Sequence, residues 1–207
     1  VVAESRHDFL PEGAIIAMDS LAGRKVADII PSLNQGVGEV SPCRRLFITH
    51  PRLEPILRRR AEAGGAEVVE GHEVTGLAQD DNGVTVTLTP TGGGEPRTVR
   101  TRYLVGADGA HSAVRQLLGI GFGGRGAFSN SITIYFTADV SPWIGGQPLA
   151  VIYVNHPLFG GFFRLDRECR RGFLVVNTVH DRPDGDAAAD TSPERLVQLV
   201  RAGAGVA

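Results

Sequence analysis

The stretch Tyr103–Gly126 reads YLVGADGAHSAVRQLLGIGFGGRG and holds two glycine-rich signals a few residues apart. The second, GFGGRG at Gly121–Gly126, spells the dinucleotide fingerprint G-x-G-x-x-G letter for letter. That pattern works where a strand ends and a helix opens, because helix-terminal N–H groups then meet a pyrophosphate. Here it follows the helical pattern of SAVRQLLG and leads toward a strand, with no acidic residue at the end of a following strand. It reads as a glycine linker between two sheets. The first signal, GADGAHSAVR, has the context the second lacks. YLVGAD is a near-continuous apolar run that predicts a strand buried on both faces, and HSAVRQLLG predicts a short helix with Val114, Leu117 and Leu118 on one side. Gly106, Ala107 and Gly109 remove side-chain bulk where a ligand comes close, and a helix start favours phosphate. Asp108 repels phosphate; it accepts hydrogen bonds from backbone N–H groups or from a ribose-type hydroxyl. Arg115 supplies positive charge to the turn or pairs with Asp108. From the residues alone, a helix cap at Asp108 with a solvated Arg115 accounts for the stretch equally well.

Working outward, THPRLEPILRRRAEAGG predicts a helix. Pro51 suits its first position, Leu53, Ile56, Leu57 and Ala61 fall at helical spacing, and Gly64-Gly65 ends it. AEVVE follows as a short strand. HEVTGLAQ and VTVTLTP flank Asp81-Asn82-Gly83, and Asn-Gly between alternating runs is a strong hairpin signal. TGGGE then turns the chain into RTVRTR, completing a three-stranded antiparallel meander. Beyond Gly126, SITIYFTA, LAVIYV, GFFRL and GFLVVNTV predict a second, mostly antiparallel sheet. Seven of the nine phenylalanines and the only tryptophan, Trp143, lie from residue 122 onward, so aromatic surface is concentrated there. TSPERLVQLVRAG starts a helix with Thr191 and Glu194 at capping-box spacing. In residues 1–45, GAIIAMDS suits a short strand and SLNQGVGEVSP reads as loop.

Composition bounds the function. Of 207 residues 42% are hydrophobic and 21% charged, with net charge −2, an ordinary globular balance. Without a basic excess, nucleic acid and polybasic membrane binding are excluded as expectations. Lys25 is the only lysine, so a GC-rich coding sequence is the expectation. Cys43 and Cys169 make no metal-ligand spacing and no disulfide framework. There is no signal peptide and no bilayer-length apolar run, so the expected location is cytoplasmic. The chain opens on VVAESRHDF without Met and closes out of a helical pattern, as a piece of a longer protein would.

The segment Tyr103–Arg115 resembles the DG motif of the single-component, FAD-dependent aromatic hydroxylases, the para-hydroxybenzoate hydroxylase family of class A flavoprotein monooxygenases. The small–small–Asp–Gly core, Ser112 three residues after Gly109 and Arg115 three after that all match. PRLEPILRRRAEAGGAEVVEGHEVTGLAQDDNGVTVTL is similar to that family's helix, strand and meander, and SNSITIYFTADV to the first strand of its substrate domain. The resemblance is nearest to actinobacterial hydroxylases of polyketide-derived polycyclic aromatics, and it covers roughly residues 40 to 180. It implies an α/β (α+β) architecture: an incomplete Rossmann-like FAD-binding domain with a β-meander over 46–126, and a mostly antiparallel substrate-domain sheet over 127–207. Residues 1–45 belong on the substrate side, because the family's domains are interleaved. It further implies FAD and NAD(P)H (NADH or NADPH) as cofactors and Asp108, Gly109, Ser112 and Arg115 as cofactor-binding residues. His50 stands where the family carries a flavin-contacting Gln, either as a replacement hydrogen-bond donor or merely as the start of a helix. The implied reaction is hydroxylation of a phenolic or polycyclic polyketide substrate through a flavin C4a-hydroperoxide. The family's N-terminal G-x-G-x-x-G and its later GD motif are absent, so these residues alone are expected to be inactive and to hold FAD weakly.

Other readings are weaker. Asp108, His111 and Ser112 lie too close along one turn for a hydrolase triad, and there is no G-x-S-x-G elbow. The six histidines lack paired ligand spacing, so no metal is expected. Arg58-Arg59-Arg60 reads as a solvated helix face, or as help for a cofactor phosphate. Along SITIYFTA, Ile132, Ile134 and Phe136 face one way and Thr133, Tyr135 and Thr137 the other. One sheet face is either ordinary core or the lining of a flat apolar pocket for an aromatic ligand, to which Tyr153, Phe162 and Phe163 are candidate contributors. The rival functions are a halogenase or reductase of the same flavoprotein superfamily, and a non-catalytic aromatic-ligand-binding module.

Overall fold

A computed structural model describes residues 12–45, 47–126, 130–178 and 190–206; readings that fall on the other residues lie outside these. The chain divides into two compact units, Val1–Leu57 with Ala127–Ala207, and Arg58–Gly126. In the first lie β1 (Ala14–Met18), β2 (Lys25–Ile30), the short α1 (Val37–Val40), β6 (Asn130–Thr137), α4 (Ser141–Ile144), β7 (Leu149–His156), β8 (Phe159–Leu165), β9 (Arg171–Thr178) and α5 (Pro193–Ala204). In the second lie β3 (His72–Asp80), β4 (Gly83–Pro90), β5 (Arg97–Thr101) and α3 (Ala113–Leu117), while α2 (His50–Ala63) runs across the boundary.

The first unit is built on a six-stranded sheet of order β2-β1-β7-β8-β9-β6. All its pairings are antiparallel except β1 with β7. Period-2 alternation puts one face inward. Ile152 and Val154 of β7, Phe159, Phe163 and Leu165 of β8, and Leu174 and Val176 of β9 are buried together with Ile134 and Leu199. Helix α5 covers this face. Ser192 caps it, its hydroxyl accepting from the Arg195 N–H at 3.4 Å, with Pro193 in the first turn; the cap is thus one residue after the Thr191 expected from capping-box spacing, because Pro193 fixes the first helical position. At the far end Gly205 takes φ +80° and the Val206 N–H returns to the Arg201 carbonyl. The N–H groups of Leu21 and Ala22 donate to the carbonyls of Gly203 and Ala204 at 3.1 and 3.0 Å, so the loop after β1 ties down the helix end.

The second unit holds the expected meander, β3-β4-β5, with Val84 and Val86 buried. Its first turn differs from an Asn-Gly centre: Asp80 pairs with Gly83, leaving Asp81-Asn82 as the loop, and Asp80 Oδ1 accepts from the Asn82 N–H at 2.8 Å. Gly83 serves the third strand, since a Cβ there collides with the Thr101 carbonyl.

Two expected strands do not form. Residues 66–70 (AEVVE) and 103–108 (YLVGAD) are outside any strand, and Val69, Tyr103 and Val105 are exposed, the last two by 77% and 83%. An apolar run becomes a strand only when a neighbour takes its N–H and C=O groups, and none of the described strands lies beside either segment. The apolar stripe of α2 is likewise uncovered: no residue of the helix is buried and Leu57 is 55% exposed. The same holds for α3, where Leu117 and Leu118 are exposed.

Candidate functional site

In the Arg58–Gly126 unit the residues 108–115 form one hydrogen-bonded turn. Gly109 takes φ +80°, the left-handed conformation that favours glycine, with open space where a Cβ would stand. Asp108 uses both carboxylate oxygens: Oδ1 accepts from Ser112 Oγ at 2.6 Å and Oδ2 from the Val114 N–H at 3.1 Å. Ser112 in turn caps α3, its hydroxyl accepting from the Arg115 N–H at 3.0 Å. The Ser112 hydroxyl, followed by the Val114 N–H, holds the Asp108 carboxyl below its ordinary value. Gly106 has a packing reason, since a Cβ there would stand 3.1 Å from Val114 Cγ1. Arg115 donates to the Ile120 carbonyl at 3.0 Å and lies over the Phe122 ring, 5.4 Å from its centroid, rather than pairing with Asp108.

The structure therefore brings Asp108, Gly109, Ser112 and Arg115 together, with Asp108 as the clasp of the turn. The turn is exposed, not enclosed behind an interior strand as the sequence suggested. A five-residue helix carries little macrodipole, so the anion-attracting capacity of this turn resides in its individual N–H groups and in Arg115. The fifth candidate, His50, opens α2 and is exposed; the Thr49 carbonyl before it accepts the N–H groups of Arg52 and Leu53, both at 3.0 Å. Ser112 donates straight to Asp108 at 2.6 Å with no imidazole between them, which is not the Ser–His–Asp order of a relay. Arg58 pairs with Glu62 at 2.9 Å and with Glu70, a surface ion network. Among the described residues no three His, Cys, Asp or Glu side chains converge as for a metal. GFGGRG follows α3, and its own residues lie outside any helix.

In the other unit, the outward face of the six-stranded sheet carries a row of aromatics across four strands. Tyr153 (β7), Phe162 (β8), Phe173 (β9) and Tyr135 (β6) follow one another at centroid distances of 5.6, 6.4 and 5.6 Å. Phe163, a sequence candidate for this face, belongs to the core and is fully buried. Alternation along GFFRL allows only one of the two adjacent phenylalanines outward, and that one is Phe162. Sequence reasoning missed Phe173, which alternation along β9 places beside it. Arg164, the β8 partner of Phe173, lies 4.0 Å over the Phe47 ring. At the Tyr153 end of the row a cleft of about 470 Å³ opens against Tyr153, Asn155, Gly160 and Asn177.

A family model described as "FAD binding domain" matches residues 12–207, and the chain belongs to that family. Three curated relatives are similar. A 4-methyl-5-nitrocatechol 5-monooxygenase from Burkholderia sp is 46% identical over the whole chain and 38% of its own length. Aklavinone 12-hydroxylase DnrF of Streptomyces peucetius subsp. caesius is 33% identical over 90% of the chain and 38% of its own length. A tetracenomycin B2 monooxygenase-dioxygenase of Streptomyces olivaceus is 33% identical over 96% of the chain and 36% of its own length. Among solved structures, aklavinone-11 hydroxylase with FAD and aklavinone superposes at TM-score 0.82 and 28% identity, over 99% of this chain and 39% of that one. The flavin-dependent monooxygenase PieE, with FAD and substrate, does so at TM-score 0.79 and 28% identity, over 95% and 35%. The chain thus spans less than two-fifths of the relatives it matches. All five are named as monooxygenases or hydroxylases, which disfavours a halogenase, a reductase or a non-catalytic binding module.

Proposed function

We propose that the complete protein is an FAD- and NAD(P)H-dependent monooxygenase that hydroxylates a phenolic or polycyclic aromatic substrate. In this reading the Arg58–Gly126 unit is flavin-side material and the six-stranded unit is substrate-side. The observation that carries it is the clasped Asp108–Ser112 turn within a chain of the FAD binding domain family. The turn fits an anionic nucleotide: Gly109 carries no side chain in open space, and Arg115 stands near as a cation. Asp108, with its oxygens already engaged, holds the backbone in shape and does not itself meet phosphate. Gly109 leaves the approach free, Ser112 joins Asp108 to α3, and His50 serves as a polar contact toward the flavin. FAD, reduced by NAD(P)H, supplies the activation of O2 when bound. The protein's share is to orient the aromatic ring and to exclude water around it; the aromatic row of the sheet offers a flat apolar surface for the first of these.

The complete protein is expected to purify yellow with stoichiometric FAD and to oxidise NAD(P)H faster when a phenol is added, with one oxygen atom gained by the product. Asp108→Ala is expected to lower FAD retention with the remaining fold intact by circular dichroism. A colourless protein that neither takes up added FAD nor responds to any phenol refutes the proposal.

A further inference from the structure

Gly160 occupies the middle of a row that crosses the outward face of the sheet. Asn155 of β7 pairs with Gly160 of β8, and Gly160 pairs with Asn177 of β9. With neighbouring strands about 4.8 Å apart, the two asparagine Cα atoms stand roughly 10 Å from each other across the glycine. The glycines of this sheet do not share one cause. A Cβ on Gly161 collides with the Val175 carbonyl, and one on Gly172 with the Arg164 carbonyl, so those two are required by backbone packing. On Gly160 a Cβ would meet nothing nearer than Asn155 Oδ1 at 4.0 Å, and the residue does not take a positive φ. Glycine inside a strand costs about 0.5–1 kcal/mol relative to alanine, and without a backbone reason it marks a place where something else approaches closely. Here the same contact shows the Asn155 carboxamide leaning over the empty position.

The surroundings say what approaches. The cleft of about 470 Å³ is lined by Tyr153, Asn155, Gly160 and Asn177, with Val26 and the Asp19 carboxylate, itself paired with Arg24, on the β1–β2 side, a size within the range of about 300–1,000 Å³ for small-molecule sites. Tyr153 is 43% exposed and backed by Phe162 at 5.6 Å. The site is therefore a flat aromatic wall ending in two carboxamides, each able to donate and accept, with a floor lowered by the missing side chain.

We infer that Asn155 and Asn177, facing each other across Gly160, clamp the hydroxyl or carbonyl substituents of a planar aromatic ligand whose ring lies against Tyr153. The inference rests on the aromatic-monooxygenase reading and deepens it. It makes the two asparagines specificity-determining residues that fix which edge of the ring points into the cleft. Carboxamides suit such substituents because they are neutral and pair with a phenol, a quinone carbonyl or a nitro oxygen without requiring a charge.

The test titrates this chain with 4-nitrocatechol and, as a ring without hydrogen-bonding groups, toluene, followed by 1H–15N NMR, which reads weak binding. The Asn155 and Asn177 side-chain NH2 signals are expected to shift with 4-nitrocatechol. Asn155→Ala and Asn177→Ala are each expected to weaken 4-nitrocatechol roughly three- to tenfold, the fold-change of a single hydrogen bond, and to leave toluene unchanged. Gly160→Val fills the floor and is expected to exclude both ligands, with circular dichroism unchanged; Gly160→Ala provides a milder version should valine disturb the strand. Absence of any shift at the two amides, or unchanged 4-nitrocatechol affinity in both asparagine variants and in Gly160→Val, overturns the clamp. Phenol-dependent NAD(P)H oxidation by the complete protein in that case leaves the monooxygenase reading standing, whereas a clamp that binds in a protein that hydroxylates nothing refutes that reading alone.

Discussion

Gly203→Ala tests how α5 sits on the sheet. A Cβ at position 203 would stand 2.9 Å from Cε2 and Cζ of Phe163 and 3.0 Å from Cζ of Phe159. Both rings are fully buried, so neither swings into solvent, and an aromatic ring yields only by moving as a whole. Overpacking of this kind costs about 1–3 kcal/mol. Alanine's helix preference over glycine returns at most about 1 kcal/mol, and less in a last turn. The expected net loss is about 1–2 kcal/mol, which at ~2–4 °C for each kcal/mol in a domain of this size lowers Tm by roughly 2–8 °C. Urea and thermal unfolding of the wild-type and variant chains measure it. Phe163→Leu removes the opposing ring atoms, so the double variant Gly203→Ala/Phe163→Leu is expected to be more stable than the sum of the single changes predicts. Equal or higher stability of Gly203→Ala, or strict additivity in that cycle, refutes the close helix–sheet contact.

Two further outcomes follow from the described groups. Asp108 is expected to titrate below its ordinary value of 3.8; because the folded-state value is depressed, its contribution to the turn is present above the ordinary value and fades as pH falls through the lowered one. NMR titration of the Ser112 and Val114 amides checks this, and a midpoint at or above the ordinary value contradicts the clasp. Burial, with Asp166 and Asp139 adding to it, pushes the Cys169 thiol up, whereas Cys43 is exposed. At neutral pH a maleimide is therefore expected to label Cys43 rapidly and Cys169 only in denaturant, as peptide mass spectrometry would show; equal labelling of both in the folded chain contradicts that placement.

The local patterns that were legible are those whose cause is local. Alternation in SITIYFTA, LAVIYV and GFLVVNTV, and the turn residues around Asp81, decided strands β6, β7, β9 and the meander because half-buried sheets impose a period of two on their own side chains. AEVVE and YLVGAD failed for a complementary reason: their apolar content is compatible with an interior strand, but a strand also needs a neighbour, which no window of sequence reveals. The parallel partnership of β1 with β7 was invisible for the same cause. Within the turn, residue types made Asp108 a candidate and the family resemblance added Ser112, yet the bond between them, and the turning of Arg115 toward Ile120 and Phe122, depend on a backbone path that spacing does not encode. Phe162 and Phe163 were equivalent as letters and opposite in fate.

The parallel pairing of β1 with β7 also has a temporal side. The β1–β2 hairpin leaves the ribosome before the strand it docks on, which begins only at Leu149, after the entire meander has been synthesised. Until then Ile15, Ile16 and Met18 lack their β7 neighbours, and the free edge of β1 stays unpaired. Distant pairings of this sort slow folding and leave sticky edges open in the meantime. A nascent chain of this protein thus carries an unclaimed β1–β2 hairpin until the residues of β7 are translated.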